Sequence, residues 1–494
     1  MTPLRFPTLC ALFLLPVVLL PAQDSDARLT LDDAVRLALA NNRSIKVDTY
    51  TRAIARANLL AAYGQFDPAL NFSRSYSESY TPTLTSSSAG YVPPSSLVQT
   101  DNYSLALEGI MPWGLQYSLG GTSQNQRGTF NGFANNFQTF GGIQVRQPLL
   151  RGLGFGTNLL NVRIAKADRA ISDWQYRQTV IETVTNVVIA YSNLSLMHEY
   201  LAVAQRYRDG AARLLGENEK RFKVGSISEN DVVSARARTA LREEGVLTAE
   251  RGLRDSDNQL RALLGEASFT NDGPLLAIAP LPAPELDVQP ARDLQKAYTL
   301  RPDFQQTRFA VDKSRYSDAS ARNQLLPQVN FVGNYGYAGL GNSLGASRQM
   351  VADRDNRYYS AGVEVSVPLT FAQGRGKARA ARLQRFQAEA VLKRMEEDIA
   401  LSIAAAAGQI ETTRKRVVAT HTAREINQQL LDAELKRLRA GTGSTFSVLY
   451  QQDLLSQADG EYSQALADQR RAVAVYDREI GTTLARYHIT LTDQ

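Results

Sequence analysis

The side chains best suited to acid–base or metal chemistry are few and scattered along this sequence. There are three histidines, His198, His421 and His488, and no two are neighbours in sequence. No His-Glu-x-x-His occurs, so the spacing that puts two imidazoles on one helix face is missing. Gly374-Arg375-Gly376-Lys377 lacks the spacing and the hydroxyl of a phosphate-cradling loop. Gly152-Leu153-Gly154-Phe155-Gly156 follows an amphipathic strand and opens a very long helix, which is not the setting of a dinucleotide fingerprint. Both glycine clusters read more simply as turns from strand to helix. No catalytic, cofactor-binding or metal-binding residue is assigned, and the sequence points away from an enzyme.

The first residues read as an export signal. Arg5 supplies a positive start, an apolar stretch runs from Leu9 to Leu20, and Leu20-Pro21-Ala22 places cleavage after Ala22. The only cysteine, Cys10, would leave with residues 1–22, so the mature chain has no thiol chemistry. The apolar stretch is too short to span a bilayer, and nothing downstream supplies about 20 consecutive apolar residues. If the protein is integral to a membrane, it is therefore expected to be a β-barrel. Its 55 basic and 49 acidic residues give a net charge of +6. They are interspersed along helical stretches, as on a solvated helix surface, and form no basic arm for nucleic acid.

Proline placement gives the organisation. Of 18 prolines, none follows Pro368 and none falls between Pro148 and Pro274, leaving two blocks without helix breakers. Leu160, Ile164, Ala167, Ile171, Trp174 and Ile181 in the first, and Leu392, Met395, Ile399, Ile403, Ala406, Ile410 and Val417 in the second, follow helical spacing. The blocks also repeat each other. Lys220-Arg221-Phe222-Lys223-Val224-Gly225 matches Lys436-Arg437-Leu438-Arg439-Ala440-Gly441, and Leu264-Gly265 matches Ile480-Gly481 at the same separation. Upstream, Gln147-Pro148-Leu149 matches Val367-Pro368-Leu369, and Asn71-Phe72 resembles Asn330-Phe331. A period this long indicates a duplicated domain. The first copy is expected over 23–264, with strands over 69–147 and a turn over 224–228. A proline-rich linker follows over 265–291. The second copy is expected over 292–485, with strands over 328–368 and a turn over 440–444, ahead of a tail over 486–494. The segment 159–223, as one helix, would reach about 95 Å. Its return helix over 228–264 cannot travel back alone, so the helix over 30–62 is expected to complete the path. The second copy behaves alike, with 292–325 and 444–484 beside 377–439.

The strands show two faces. Leu70, Phe72 and Tyr76 alternate with Asn71, Ser73, Ser75 and Ser77, and Tyr359, Ala361, Val363 and Val365 alternate with Ser360, Gly362, Glu364 and Ser366. Segments of about ten residues with this pattern fit transmembrane strands, and equally a half-buried antiparallel sheet. A barrel needs at least about eight strands. The chain offers a minimum of two per copy, so several chains are expected to share one barrel. Tyr103-Ser104-Leu105-Ala106-Leu107 and Leu115-Gln116-Tyr117-Ser118-Leu119 flank Pro112-Trp113-Gly114 as an additional hairpin, inside or outside that barrel.

The whole chain after the signal resembles the TolC family of outer-membrane efflux proteins. Leu29-Thr30-Leu31-Asp32-Asp33-Ala34, running on to Asn41-Asn42, is similar to the family's opening helix, with Arg43 where a proline is usual. Gln147-Pro148-Leu149-Leu150-Arg151-Gly152 is similar to its strand-to-helix passage, and Arg301-Pro302-Asp303 to the start of its second copy. The resemblance implies a mainly helical protein with β structure, built from a duplicated helix–strands–helix unit. It implies a homotrimer whose strands form one transmembrane β-barrel in outer-membrane lipid and whose helices form a long periplasmic α-helical barrel. It further implies an exit duct for a tripartite efflux pump or type I secretion system, working with a periplasmic adaptor (membrane fusion) protein and an inner-membrane transporter. No cofactor is implied. The glycine turns would be the tunnel tips, where Arg221, Phe222, Gly225, Arg437, Leu438 and Gly441 meet the adaptor. Members often carry acidic residues just after the second turn. Here that stretch holds Phe446, Ser447 and Tyr450, with Asp453 about a turn beyond, as the possible pore constriction. A passive porin would need the barrel alone, and a periplasmic coiled-coil scaffold the helices alone.

Overall fold

The computed structural model describes residues 28–82, 95–265, 276, 278, 279 and 287–491. The expected signal over 1–22, most of the 265–291 linker and the end of the 486–494 tail lie outside the described residues. In chain order the elements are α1 (Leu31–Asn41), α2 (Arg43–Tyr63), β1 (Ala69–Pro82), β2 (Ser95–Ile110), β3 (Gln116–Gly128), β4 (Phe137–Pro148), α3 (Phe155–Asn158), α4 (Leu160–Lys223) and α5 (Glu229–Leu264). Then come α6 (Pro290–Leu300), α7 (Pro302–Asn323), β5 (Gln328–Gly341), α8 (Leu344–Ala352), β6 (Asn356–Ser366), α9 (Ala372–Arg439), α10 (Thr445–Ile480) and α11 (Thr483–Arg486). The mainly helical fold with an antiparallel sheet is the one expected. In the two proline-free blocks, α4 runs unbroken for 64 residues and α9 for 68. One window of α4 is apolar enough by composition to cross a membrane, but 67% of it is buried inside the protein.

Three helix expectations need correction. The helix over 30–62 is two helices, because the Asn42 side chain accepts a hydrogen bond from Ser44 N at 2.9 Å and caps a fresh start. The helix over 292–325 breaks at Arg301, which is extended (φ −69°, ψ 122°) because Pro302 disfavours a helical residue before it. The second long helix starts at Ala372, so Gly374 and Gly376 lie inside its first turns and form no loop.

The chain divides into two compact units. One contains residues 41–186, 284–419 and 468–494. Its sheet has the order β1-β2-β3-β4-β5-β6, every neighbouring pair antiparallel. The additional hairpin is thus part of the sheet, and the first copy contributes four strands, where two were the minimum. Helix α8, which the sequence did not announce, joins β5 to β6. Beside the sheet, α2 runs along the start of α4, tied by Arg52 to Asp173 at 2.9 Å and Thr179 to Asp48 at 2.5 Å. Ile399, Ile403 and Ile410 of α9 pack with Phe304, Val473, Tyr476 and Ile480 into this unit's core. The Tyr476 hydroxyl donates to buried Asp293 at 2.7 Å.

The helix break gives this unit an ionic hub. The Arg301 guanidinium, 14% exposed, holds Asp303 at 2.7 and 3.1 Å, Glu479 at 2.7 Å and Ser402 at 3.2 Å. Burial pushes both carboxyls up. The guanidiniums of Arg301, and of Arg478 beside Glu479, override it and hold them below the usual carboxylate range. The other unit contains residues 28–40 of the described chain with 187–283 and 420–467. There the Tyr191 hydroxyl donates to the carbonyl of Leu29 at 2.7 Å and accepts from Ala279 N at 3.0 Å, fastening the start of the chain to α4.

Depressed carboxylates stabilise the fold above their unfolded pKa and lose that contribution as pH falls through the folded one. The thermal midpoint in detergent is therefore expected to be flat from pH 6 to 8 and to fall below about pH 4. Arg301→Gln leaves Asp303 buried without its cation while Glu479 keeps Arg478 at 2.7 Å, costing about 3 kcal/mol at neutral pH. Burial then dominates, so this variant gains stability on acidification towards about pH 5, opposite in sign to the parent. Midpoints measured against pH for both proteins check it.

Candidate functional site: a two-faced sheet and two helix turns

Strand register assigns every sheet residue to one of two faces. Leu70 pairs with Leu107, Leu107 with Leu119, Leu119 with Ile143, Ile143 with Tyr335 and Tyr335 with Tyr359, so one row across all six strands is apolar or aromatic. The rows beside it add Phe72, Leu105, Phe331 and Val363 to the same face, all exposed in the single chain. Along its upper margin, away from the helix ends of the strands, arginines meet aromatic rings. Arg74 lies 5.1 Å over Tyr103 and Arg357 lies 5.7 Å over Tyr359. An apolar band edged by aromatic residues is what a bilayer selects on the outside of a barrel.

The opposite face is polar. Ser73 meets Ser104 at 2.8 Å, Asn71 donates to Glu108 at 2.7 Å, Asn334 donates to Ser360 at 2.9 Å, and Arg146 pairs with Glu364. It holds a concavity of about 860 Å³ whose walls combine Gln124, Gln138, Gln144, Asn334 and Asn356 with Phe140, Leu340 and Tyr358. Its amides present both donors and acceptors to water. Neither edge of the sheet is covered. Every residue of β1 and all but Ser360 of β6 are exposed, and the two strands do not pair with each other within the chain.

The glycine turns lie in the other unit and share one backbone solution. Gly225 (φ +74°) donates to Phe222 O at 2.9 Å while Ser226 donates to Arg221 O at 3.0 Å. Gly441 (φ +76°) donates to Leu438 O at 3.2 Å while Thr442 donates to Arg437 O at 3.0 Å. Each pair satisfies the last carbonyls of a long helix, and the left-handed glycine makes it possible. Ser228 then starts α5 with a capping box: Asp231 N donates to its hydroxyl at 3.3 Å and Ser228 N to the Asp231 carboxylate at 3.1 Å. Ser444 serves α10 likewise, accepting from Ser447 N at 3.1 Å.

The side chains at the turns differ. Phe222 and Val224 are exposed beside Gly225, and Arg437 is exposed beside Gly441. Leu438 is buried with Leu214, Leu431, Val448, Leu449 and Leu455, so it props the turn from beneath. Phe446 and Tyr450 are exposed on one side of α10, with Ser447 half-buried. Asp453 is a different case from these three. Arg238 holds it at 2.6 Å and Arg242 at 2.5 Å. Arg242 also covers the Tyr207 ring at 5.4 Å, whose hydroxyl donates to Asp459 at 2.9 Å, and Arg424 reaches Asp459 at 2.6 Å. Asp453, about a third exposed, thus ties α10 to α5. Its partners carried no local mark, because Arg238 and Arg242 are only two among many helix-surface arginines. Among the described residues, no group of three or more histidine, cysteine or acidic side chains is arranged to hold a metal ion.

The sequence model of the outer membrane efflux protein family matches residues 34–266 and 294–477. Over 322 residues, 64% of this chain and 70% of the relative, the sequence is 26% identical to the cobalt-zinc-cadmium resistance protein CzcC of Cupriavidus metallidurans. Among solved structures, the outer-membrane channel OprN is similar with a TM-score of 0.67 at 17% identity, covering 91% of this chain and 89% of that one. The outer membrane protein VceC of Vibrio cholerae gives 0.66 at 17% identity, covering 91% and 96%. At such identities the two structures speak for the fold.

Leu438→Ala opens a cavity beneath the second turn and is expected to cost about 2–4 kcal/mol locally. Gly441→Ala meets only the left-handed backbone penalty of about 1 kcal/mol, since nothing lies within 4 Å of an added Cβ. Limited proteolysis at the turns should rank Leu438→Ala as cut faster than Gly441→Ala, and Gly441→Ala faster than the parent.

Proposed function

Because the chain belongs to the outer membrane efflux protein family, we propose that it is the exit duct of a tripartite efflux pump or type I secretion system. Its place is the outer membrane, and its work is passage, not catalysis. The observation that carries the finer reading is the sheet: apolar on one face, polar on the other, with both edges open. In lipid an open edge leaves backbone groups without partners, so β1 of one chain pairs with β6 of the next. Three copies of six strands give a barrel of roughly 18 strands, the size at which barrels leave an aqueous channel. The apolar face then meets lipid and the amide-rich face lines the duct.

In the same reading, residues 1–22 direct export, and the duplicated copies on either side of the 265–291 linker supply the paired helices of a periplasmic tunnel. The turns carrying Gly225 and Gly441 meet the adaptor through Arg221, Phe222 and Arg437, with Leu438 as their support. Phe446, Ser447 and Tyr450 narrow the tunnel mouth. An inner-membrane transporter provides the energy. The name of CzcC speaks of cobalt, zinc and cadmium, which makes these ions the first cargo to try.

Deleting the gene should raise cellular retention of metal ions, dyes or a secreted protein, and restoring it should reverse the effect. A deletion that slows uptake instead would favour a passive porin. In planar bilayers, Tyr450→Ala should raise single-channel conductance, and unchanged conductance would remove the constriction from the account.

A further inference from the structure

Helix α8 sits on the apolar face of the sheet, over β4 and β5. Two strand glycines make room for it. A Cβ at Gly339 would run into the carbonyl oxygen of Ser347, and one at Gly141 would come within 2.9 Å of Val351 Cγ1. Ser347, fully buried, meets Thr139 at 2.8 Å, and Thr139 meets Ser123 at 2.9 Å, so a chain of hydroxyls fastens the helix to the sheet. Glycine inside a strand commonly marks such a close approach.

This seat leaves a groove beside α8 on the same face, about 500 Å³ in volume. Its floor is Leu70, Phe72, Leu105 and Leu119, and its wall is Leu344 and Arg348 of α8. The volume lies in the range of roughly 300–1,000 Å³ typical of small-ligand sites. Arg348 is exposed and, among the described residues, makes no hydrogen bond or ion pair, unlike Arg74 near the same groove, which is held by Asp101 at 3.1 Å. An apolar trough ending at an unpaired guanidinium is complementary to a hydrocarbon chain ending in an anionic group. A guanidinium presents a fork of donors to phosphate oxygens.

We propose that this groove binds one acyl chain of a phosphorylated lipid of the outer leaflet, with the phosphate on Arg348. The assignment rests on the reading of the apolar face as the lipid face. It also rests on chain direction: α4 and α9 follow β4 and β6 at one end of the sheet, whereas α8 lies at the other, the outward end if the helices are periplasmic. Helix α8 thus acts as a lipid-binding shelf just above the apolar band.

The test uses the full-length protein purified in detergent. Binding of bis-phosphorylated lipid A and of the same lipid after dephosphorylation is measured by native mass spectrometry, alongside channel formation in planar bilayers. Removing one charge-assisted contact should weaken binding about tenfold. The phosphorylated lipid should therefore bind about tenfold more weakly to Arg348→Gln than to the parent, Arg348→Lys should recover most of the loss, and the dephosphorylated lipid should not distinguish the three proteins. Protein that conducts normally but binds both lipids alike, or binds unchanged after Arg348→Gln, overturns the groove and leaves the duct standing. Protein that forms no channels overturns the duct reading and the groove with it.

Discussion

A peptide N–H or C=O facing hydrocarbon has no water to turn to, and each one left unpaired costs several kcal/mol. That constraint governs this protein because its sheet ends in two bare strands. Within one chain, β1 and β6 carry exposed rows of backbone groups and apolar side chains together. In water such edges invite aggregation, and in a bilayer they are untenable until closed. In the proposed duct, closure by further copies satisfies the edges and leaves the alternation of side chains to separate lipid from water. Six strands per chain, instead of the two per copy that the pattern required at minimum, also set how wide the closed sheet becomes.

The helical part answers a different demand, which is to end and restart long helices without stray polar groups. Gly225 and Gly441 do this with paired backbone bonds, and Ser228 and Ser444 open the following helices. Ionic ties add specificity where helices would otherwise slide. Arg301 with Asp303 and Glu479 fixes several segments through one residue, and Asp453 with Arg238 and Arg242 ties α10 to α5. The buried Arg301 cluster acts mainly as a lock, because the desolvation of its charges offsets much of their attraction.

Much of the architecture was legible in the sequence because it rests on local rules. Proline-free blocks with helical spacing became α4 and α9, and period-two alternation became β1 and β6. The glycine turns were likewise readable, since a left-handed residue after a long helix favours glycine. What escaped was non-local. Nothing near Asp453 announced that two arginines of α5 would neutralise it, and Leu438 looked like a match for exposed Phe222 until packing buried it. Helix α8 escaped because it is short, and its meaning lies in Gly141 and Gly339 on strands that only the fold brings beneath it. The breaks at Asn42 and Arg301 had signals, a capping side chain and a following proline, that helical periodicity outweighed.

The central claim is that separate copies close one sheet in lipid. The most direct test is the number of chains per particle after extraction in mild detergent, from the mass measured by light scattering with the detergent contribution subtracted. Three chains per particle, with precipitation or loss of β structure when detergent is withdrawn, is the result the proposed duct predicts. A folded single chain that stays in solution without detergent would contradict it.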